Sequence, residues 1–445
     1  VTVNGRVHWD FDALFENIKT GLSKLSDESE KTGIKITSVG IDTWAVDYGL
    51  LKDGHLIAQP YCYRDEQNQL GVEQVDKALS FESIYEIAGI QFLPFNTVYQ
   101  LSKQKTMGDK SLAEAEKAML LPDLIGFLLT GQMATEVTNA STTSLMEARS
   151  RKFSQKIFDS IGISSDLFPP LMNPGDVLGQ IKDGFGSALT GVDLVLVGSH
   201  DTASAVVGVP ASEPGFVFIS SGTWSLLGAE ISEPVITDEA RAANFTNELG
   251  VGNRIRFLKN LSGLWLLNES MRHWEQNQQA QSLLDILQQA AAIGPVAFID
   301  VTDSEFIAPG NMPNRISNHC EAVHGVRPES PEEIVSVIMH SLAKSYADGI
   351  KDLREIVDLE IDKIFVTGGG SQNQLLCQLT ADYCNLPLTS GPVEATAMGN
   401  IGVQMMASEK KLENLEDVRR IIRASTEVTN YEPRLQSIQN KERAK

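Results

Sequence analysis

Gly198-Ser199-His200-Asp201-Thr202-Ala203-Ser204-Ala205 follows an apolar run, residues 194–197, that reads as a buried strand ending in a glycine. This pattern places Asp201 just past the strand end, where α/β proteins put their reacting groups. Further on stands Ser221-Gly222-Thr223-Trp224-Ser225-Leu226, between two β-rich runs, residues 216–219 and 226–231. That order predicts a hairpin with a hydroxyl-rich, glycine-containing turn, able to aim backbone N–H groups and the Thr223 hydroxyl at an anion. A carboxylate followed by an anion-cradling hairpin points to phosphoryl transfer, one group taking a proton while the other holds phosphates. Read as scaffold alone, Asp201 would cap the next helix and Ser-Gly-Thr would be a plain turn.

The chain has 445 residues, 42% hydrophobic and 21% charged, which predicts a globular protein of about two or three domains. No apolar run reaches the ~18 residues that a membrane span requires, and the opening residues lack a signal-peptide pattern. A net charge of −21 argues against a nucleic-acid partner, whose binders carry a basic footprint. It is compatible with a nucleotide, because local N–H groups and magnesium offset the surrounding charge. Cys62, Cys320, Cys377 and Cys384 form no Cys-x-x-Cys pair, so buried thiols in a reduced cytoplasmic compartment are expected.

Outward from the central stretch, residues 34–51 are β-rich and carry Asp42-Thr43-Trp44-Ala45-Val46-Asp47. On a strand, two acids around a small residue could line a polar cleft or face solvent at a sheet edge. Gln91-Phe92-Leu93-Pro94-Phe95-Asn96-Thr97 mixes rings with amides, which suits either a polyol or a core. Helix is expected over residues 111–130, stopped by Gly131. A second helix is expected to open at 260–265, and the glutamine-rich stretch 277–289 reads as helical and solvated. Ser330-Pro331-Glu332-Glu333 has the cap, proline and glutamate of a helix start, the helix running to about Val357. Residues 363–367 then form a strand leading into Gly368-Gly369-Gly370-Ser371-Gln372-Asn373 and a helix, an arrangement suited to nucleotide. The Gly-x-Gly-x-x-Gly spacing of dinucleotide folds is absent, as is a P-loop lysine. Gly391-Pro392-Val393-Glu394-Ala395-Thr396 reads as a tight turn into a further helix, and residues 3–7 as a hairpin.

In order and spacing, residues 42–47, 63–65, 92–97, 121–123, 173–177, 198–206, 220–226, 246–248, 259–267, 368–373 and 391–396 resemble the motifs of the FGGY carbohydrate kinases. The resemblance runs from Trp9 to about Asn430. It implies an α/β chain of two actin-like, RNase H-type domains closing on a central cleft, residues 1–208 for sugar and catalysis and 209–445 for nucleotide. The implied reaction is transfer of the γ-phosphoryl group of ATP, with magnesium, to the 1-hydroxyl of L-rhamnulose. L-fuculose, xylulose or another polyol is the alternative acceptor, and a catalytically weak sugar-binding protein the alternative role. By the same resemblance Asp201 is the proton acceptor, while Ala45, His200, Asp201, Thr202 and Asn260 meet the sugar. Thr223, Asn268 and Gly369 meet ATP, and no residue is assigned to metal. The implied partners are small molecules, for a cytoplasmic monomer or homodimer. Three departures stand out: Ala45 replaces a usual glycine, Asn268 replaces a usual glutamine, and the family's opening Asp-x-Gly phosphate hairpin lies outside a sequence that opens on Val1. The expectation from the last is a chain that binds sugar but phosphorylates it slowly.

Overall fold

Capping chemistry fixes the two longest helices. Phe11–Thr32 opens at Asp10, whose side chain accepts from the Ala13 N–H, and closes at Gly33 in the left-handed region, φ 73°. At Pro331–Ile356, Ser330 Oγ accepts from the Glu333 N–H and the Glu333 carboxylate accepts from the Ser330 N–H. Each cap satisfies backbone groups that a helix end leaves without partners. The computed structural model describes residues 1–3, 5–65, 67–212, 215–279, 281–408 and 412–434.

The chain divides into two units. The first holds Val1–Gly208, Glu230–Phe257 and Thr396–Val418; the second holds Val209–Ala229, Leu258–Ala395 and the chain from Arg419 onward. In the first unit Tyr48–Lys52 pairs antiparallel with Lys117–Leu120 and with His55–Leu56. Its side chains alternate between two cores: Tyr48 and Leu50 join Val98, Leu101 and Phe158, whereas Leu51 joins Phe11, Leu124 and Leu194. That is the period of two that a strand buried on both faces requires. Asp193–Val195 pairs parallel with Ser38–Val39 and antiparallel with Val177–Gln180, and runs on to the helix Asp201–Val207.

In the second unit Phe216–Ser221 lies between Trp224–Ile231, antiparallel, and Lys363–Thr367, parallel with Ser220 opposite Thr367. Lys363–Thr367 pairs in turn with Leu388–Ser390, which pairs antiparallel with Thr429–Tyr431. Trp265–Gln276, Pro331–Ile356 and Gln374–Cys384 are helices of this unit.

Four sequence readings change. Residues 111–130 are a short helix Lys110–Glu114, the strand Lys117–Leu120 and the helix Leu121–Thr130, because Pro122 forces a new helix start. Residues 42–47 are a loop, not a strand: Val46 takes φ 67° and the Asp47 N–H donates to Ala45 O. Asn260 lies on the strand Ile255–Ser262, and the helix opens only at Trp265. The glutamine-rich stretch is split, Trp265–Gln276 ending before it and Leu283–Ile293 beginning within it. Asn4 of the expected first hairpin lies outside the described residues, while Thr2–Val3 and Arg6–Val7 pair antiparallel.

Candidate active site

The strand leading to Asp201 ends in a turn with no room to spare. A Cβ at Gly198 would stand 2.9 Å from that of Ala203. Thr43 is knitted to this turn: its N–H donates to Ser199 O at 2.9 Å, and the Asp201 N–H donates to Thr43 O at 2.8 Å. The two bonds bring the loop carrying Asp42 and half-buried Ala45 against His200, Asp201 and Thr202. Thr202 is buried, whereas the Asp201 side chain is 49% exposed.

Behind Asp201 stands a buried charged chain. His200 Nε2 lies 3.4 Å from Asp201 Oδ1, and its Nδ1 lies 3.3 Å from Glu248 Oε2. Arg256, with no exposed surface, reaches Glu248 Oε2 at 3.0 Å and His200 Nδ1 at 3.3 Å. Burial works against the Glu248 charge, but Arg256 and His200 outweigh it and hold its carboxyl below the ordinary range. On the other side, Asn400 donates to Asp42. Burial, reinforced by the Asp201 charge, still pushes the Asp42 carboxyl up to about 6. Beneath the turn, Glu136 accepts from the Ser199 N–H at 3.1 Å and the Ser199 hydroxyl at 2.5 Å. It also accepts from the Thr138 and Asn139 N–H groups, so the turn rests on a fixed acceptor.

Asp47 is spoken for. It is 1% exposed and accepts from Trp9 Nε1 at 2.6 Å, Trp44 Nε1 at 3.0 Å, Gln100 Nε2 at 3.0 Å and the Tyr63 N–H at 3.2 Å. Burial pushes its carboxyl up to about 6, against the pull of those donors. The rings it holds, Trp9, Trp44 and Tyr63, are half-buried, and Tyr63 continues to Phe95 at 5.3 Å between centroids. Asn96 turns inward, donating to Ser144 Oγ at 2.8 Å. The aromatic loop therefore offers Phe95 rather than its amide.

In the second unit the parallel pairing puts Gly222-Thr223 and residues 368–370 at the same end of neighbouring strands. Thr223 and Gly369 are exposed there. The turn's carbonyls are held from behind. Leu264 N–H donates to Gly222 O at 2.9 Å, and the Gly263 and Trp265 N–H groups donate to Thr223 O at 3.2 and 3.3 Å. A Cβ at Gly263 would lie 2.6 Å from Gly222 O, and one at Gly368 (φ 79°) 2.8 Å from Ser221 O, so both positions demand glycine. Exposed Asn268 follows one turn into the helix Trp265–Gln276; Asn260 is half-buried on its strand.

Sequence reading brought forward each candidate residue but gave no role to Glu248, Arg256 or Glu136. One signal was there to read: Arg256 sits in a strand between Ile255 and Phe257-Leu258, where a charge must find a partner. Among the described residues no group of three or more His, Cys, Asp or Glu converges as a metal site, and no helix is long and apolar enough to cross a membrane.

The model of the N-terminal domain of the FGGY family of carbohydrate kinases matches residues 1–208, and that of the C-terminal domain matches residues 217–408. The rhamnulokinase of Lactiplantibacillus plantarum is 40% identical over 434 residues, covering 97% of this chain and 87% of that protein. That of Enterococcus faecalis is 38% identical over 99% of this chain and 89% of its own length. That of Bacillus subtilis is 36% identical over 97% and 87%. Among solved structures, a ligand-bound xylulose kinase from Lactobacillus acidophilus superposes with TM-score 0.81 at 16% identity, covering 100% of this chain and 89% of that one. Plasmodium falciparum glycerol kinase with ADP gives 0.78 at 14% identity, covering 100% and 89%. The fold is the two-domain, actin-like α/β fold of such kinases, and the chain belongs to the FGGY family of carbohydrate kinases.

Proposed function

We propose that this sugar kinase transfers the γ-phosphoryl group of ATP to the 1-hydroxyl of L-rhamnulose, giving L-rhamnulose 1-phosphate. The observation that carries the reading is the Asp201 carboxylate: half-exposed at a strand end, on a turn fixed from both sides, and backed by buried charge. Such a group can accept the hydroxyl proton as the sugar oxygen bonds to the γ-phosphorus and the bridging P–O bond to ADP breaks. Relatives named rhamnulokinase, at 36–40% identity, support the choice of ketose.

In this reading Ala45, His200, Thr202 and Asn260 contact the sugar, and Thr223, Asn268 and Gly369 the nucleotide. Residues 1–208 supply the sugar-binding and catalytic part, joined by Glu248 and Arg256, and residues 209–445 the nucleotide-binding part. Magnesium enters with the nucleotide, neutralising charge on its phosphates, and the proposal assigns it no protein ligand. Sugar and ATP are the partners required, in the cytoplasm.

The test is ADP release with L-rhamnulose, L-fuculose, D-xylulose and glycerol, with phosphorus NMR of the product. The expected result is highest kcat/KM for L-rhamnulose and a 1-phosphate. A clear preference for another acceptor would overturn the ketose. Failure of every acceptor would favour a sugar-binding protein.

A further inference from the structure

We infer that Glu248 and Arg256 are positioning residues for the transfer: as a buried ion pair behind His200 they fix the imidazole so that its Nε2 edge stands against Oδ1 of Asp201 and leaves Oδ2 for the sugar hydroxyl. The inference rests on the proposed role of Asp201 as proton acceptor.

The contacts to the Asp201 carboxylate among the described residues fall on one oxygen. Oδ1 lies 3.4 Å from His200 Nε2 and 3.1 Å from Thr202 Oγ1. On the far side of the ring, Arg256 Nη2 approaches Nδ1 at 3.3 Å. The same Nδ1 lies 3.3 Å from Glu248 Oε2, so both members of the ion pair brace this edge of the ring and its Nε2 edge is turned toward Asp201. Glu248 Oε2, 3.0 Å from the same Nη2, keeps the guanidinium in place, and Arg256 Nε is anchored on Leu249 O at 3.0 Å. Glu248 and Arg256 stand on the strands Thr246–Leu249 and Ile255–Ser262, rigid elements of the kind that hold a reacting group to within a fraction of an ångström. The proton balance is closed by Oδ2: it takes the hydroxyl proton while Oδ1 stays held.

The test uses the whole chain. Glu248→Gln should lower kcat about ten- to hundredfold, because a misplacement of ~1 Å costs up to ~10²-fold, with sugar KM within about threefold. In a His200→Gln background the same change should cost nothing further, since Glu248 acts through the ring. Losses that multiply, or an unchanged kcat in Glu248→Gln, would overturn the inference. Nitrogen-15 spectra of the full chain read the ring directly: the His200 ring signals should move in Glu248→Gln, and signals unchanged from those of the parent protein would overturn the arrangement. Asp201→Asn separates the two levels. Inactive Asp201→Asn with normal Glu248→Gln defeats the positioning role alone, whereas an active Asp201→Asn defeats both.

Discussion

Around Asp201 the polar work falls to side chains: an imidazole, two buried carboxylates and a guanidinium, each held by another. Around Thr223 it falls to the main chain: carbonyls tied back by N–H groups and glycines packed where no Cβ fits. The two constructions suit two tasks. Moving a proton needs groups that change charge, and their environment must set which form they hold. Cradling an anion needs fixed dipoles and close approach, which the backbone supplies without titrating. The first kind should break when a charge is removed and the shape kept. The second should lose less in either of two ways, when its one hydroxyl is removed or when bulk is added behind its carbonyls.

The largest effect is expected from the first kind. Asp201→Asn should cut turnover ~10²–10⁴-fold, the usual cost of losing a general base, with sugar affinity by calorimetry nearly unchanged. Thr223→Val comes next. It removes one hydrogen bond to a charged ligand, worth ~1.5–3 kcal/mol, so ATP use should weaken about ten- to hundredfold while sugar affinity without nucleotide stays put. A selective loss of sugar binding would erase the contrast. Gly263→Ala adds a methyl 2.6 Å from Gly222 O and 2.8 Å from Thr223 O. The overpacking should cost ~1–3 kcal/mol, seen as a lower Tm and a higher KM for ATP. If Thr223→Val proved harmless and Gly263→Ala severe, the main chain alone would be the cradle.

The smallest effect is a slope. The Asp42 carboxyl titrates at about 6 in the folded chain, up from 3.8, because it is buried beside Asp201. Between those values the folded state holds a proton that the unfolded state has released. The group's contribution to stability therefore falls as pH rises through that window and stays lost above it. Asp42→Asn removes this titration, so Tm of the variant minus Tm of the parent should be more positive at pH 7 than at pH 4.5. An equal difference at both would mean that the carboxyl is not shifted.

How much of this was legible varies with sequence distance. His200-Asp201-Thr202 after an apolar run, the Ser-Gly-Thr turn and the glycines after residues 363–367 are local patterns, and local patterns survive in a sequence. The helix start at Ser330 was equally plain. Asp47 misled, because nothing near it names Trp9 and Gln100 as its partners. Glu136 meets Ser199 across 63 residues, and Arg256 meets His200 across 56. Such pairs are created by topology, and periodicity cannot encode them.

The chain passes between its two units repeatedly, so that Glu248, Arg256 and Asn400 all reach the first unit by return passages. This sets a timetable for synthesis. When Asp201 leaves the ribosome, the ion pair behind His200 does not yet exist, and the donor to Asp42 lies 358 residues after it in the chain. At ~5–20 residues per second, the roughly 200 residues from Asp201 to Asn400 take about 10–40 s to appear. Through that interval the nascent first unit carries Asp42 without its amide, and through roughly the first quarter of it His200 without its counter-charges, so the Asp201 surroundings are completed late although their founding residues are made early. A ribosome stalled before Asn400 should display a first unit more open to protease at the residues around Asp42 than one stalled past Val418.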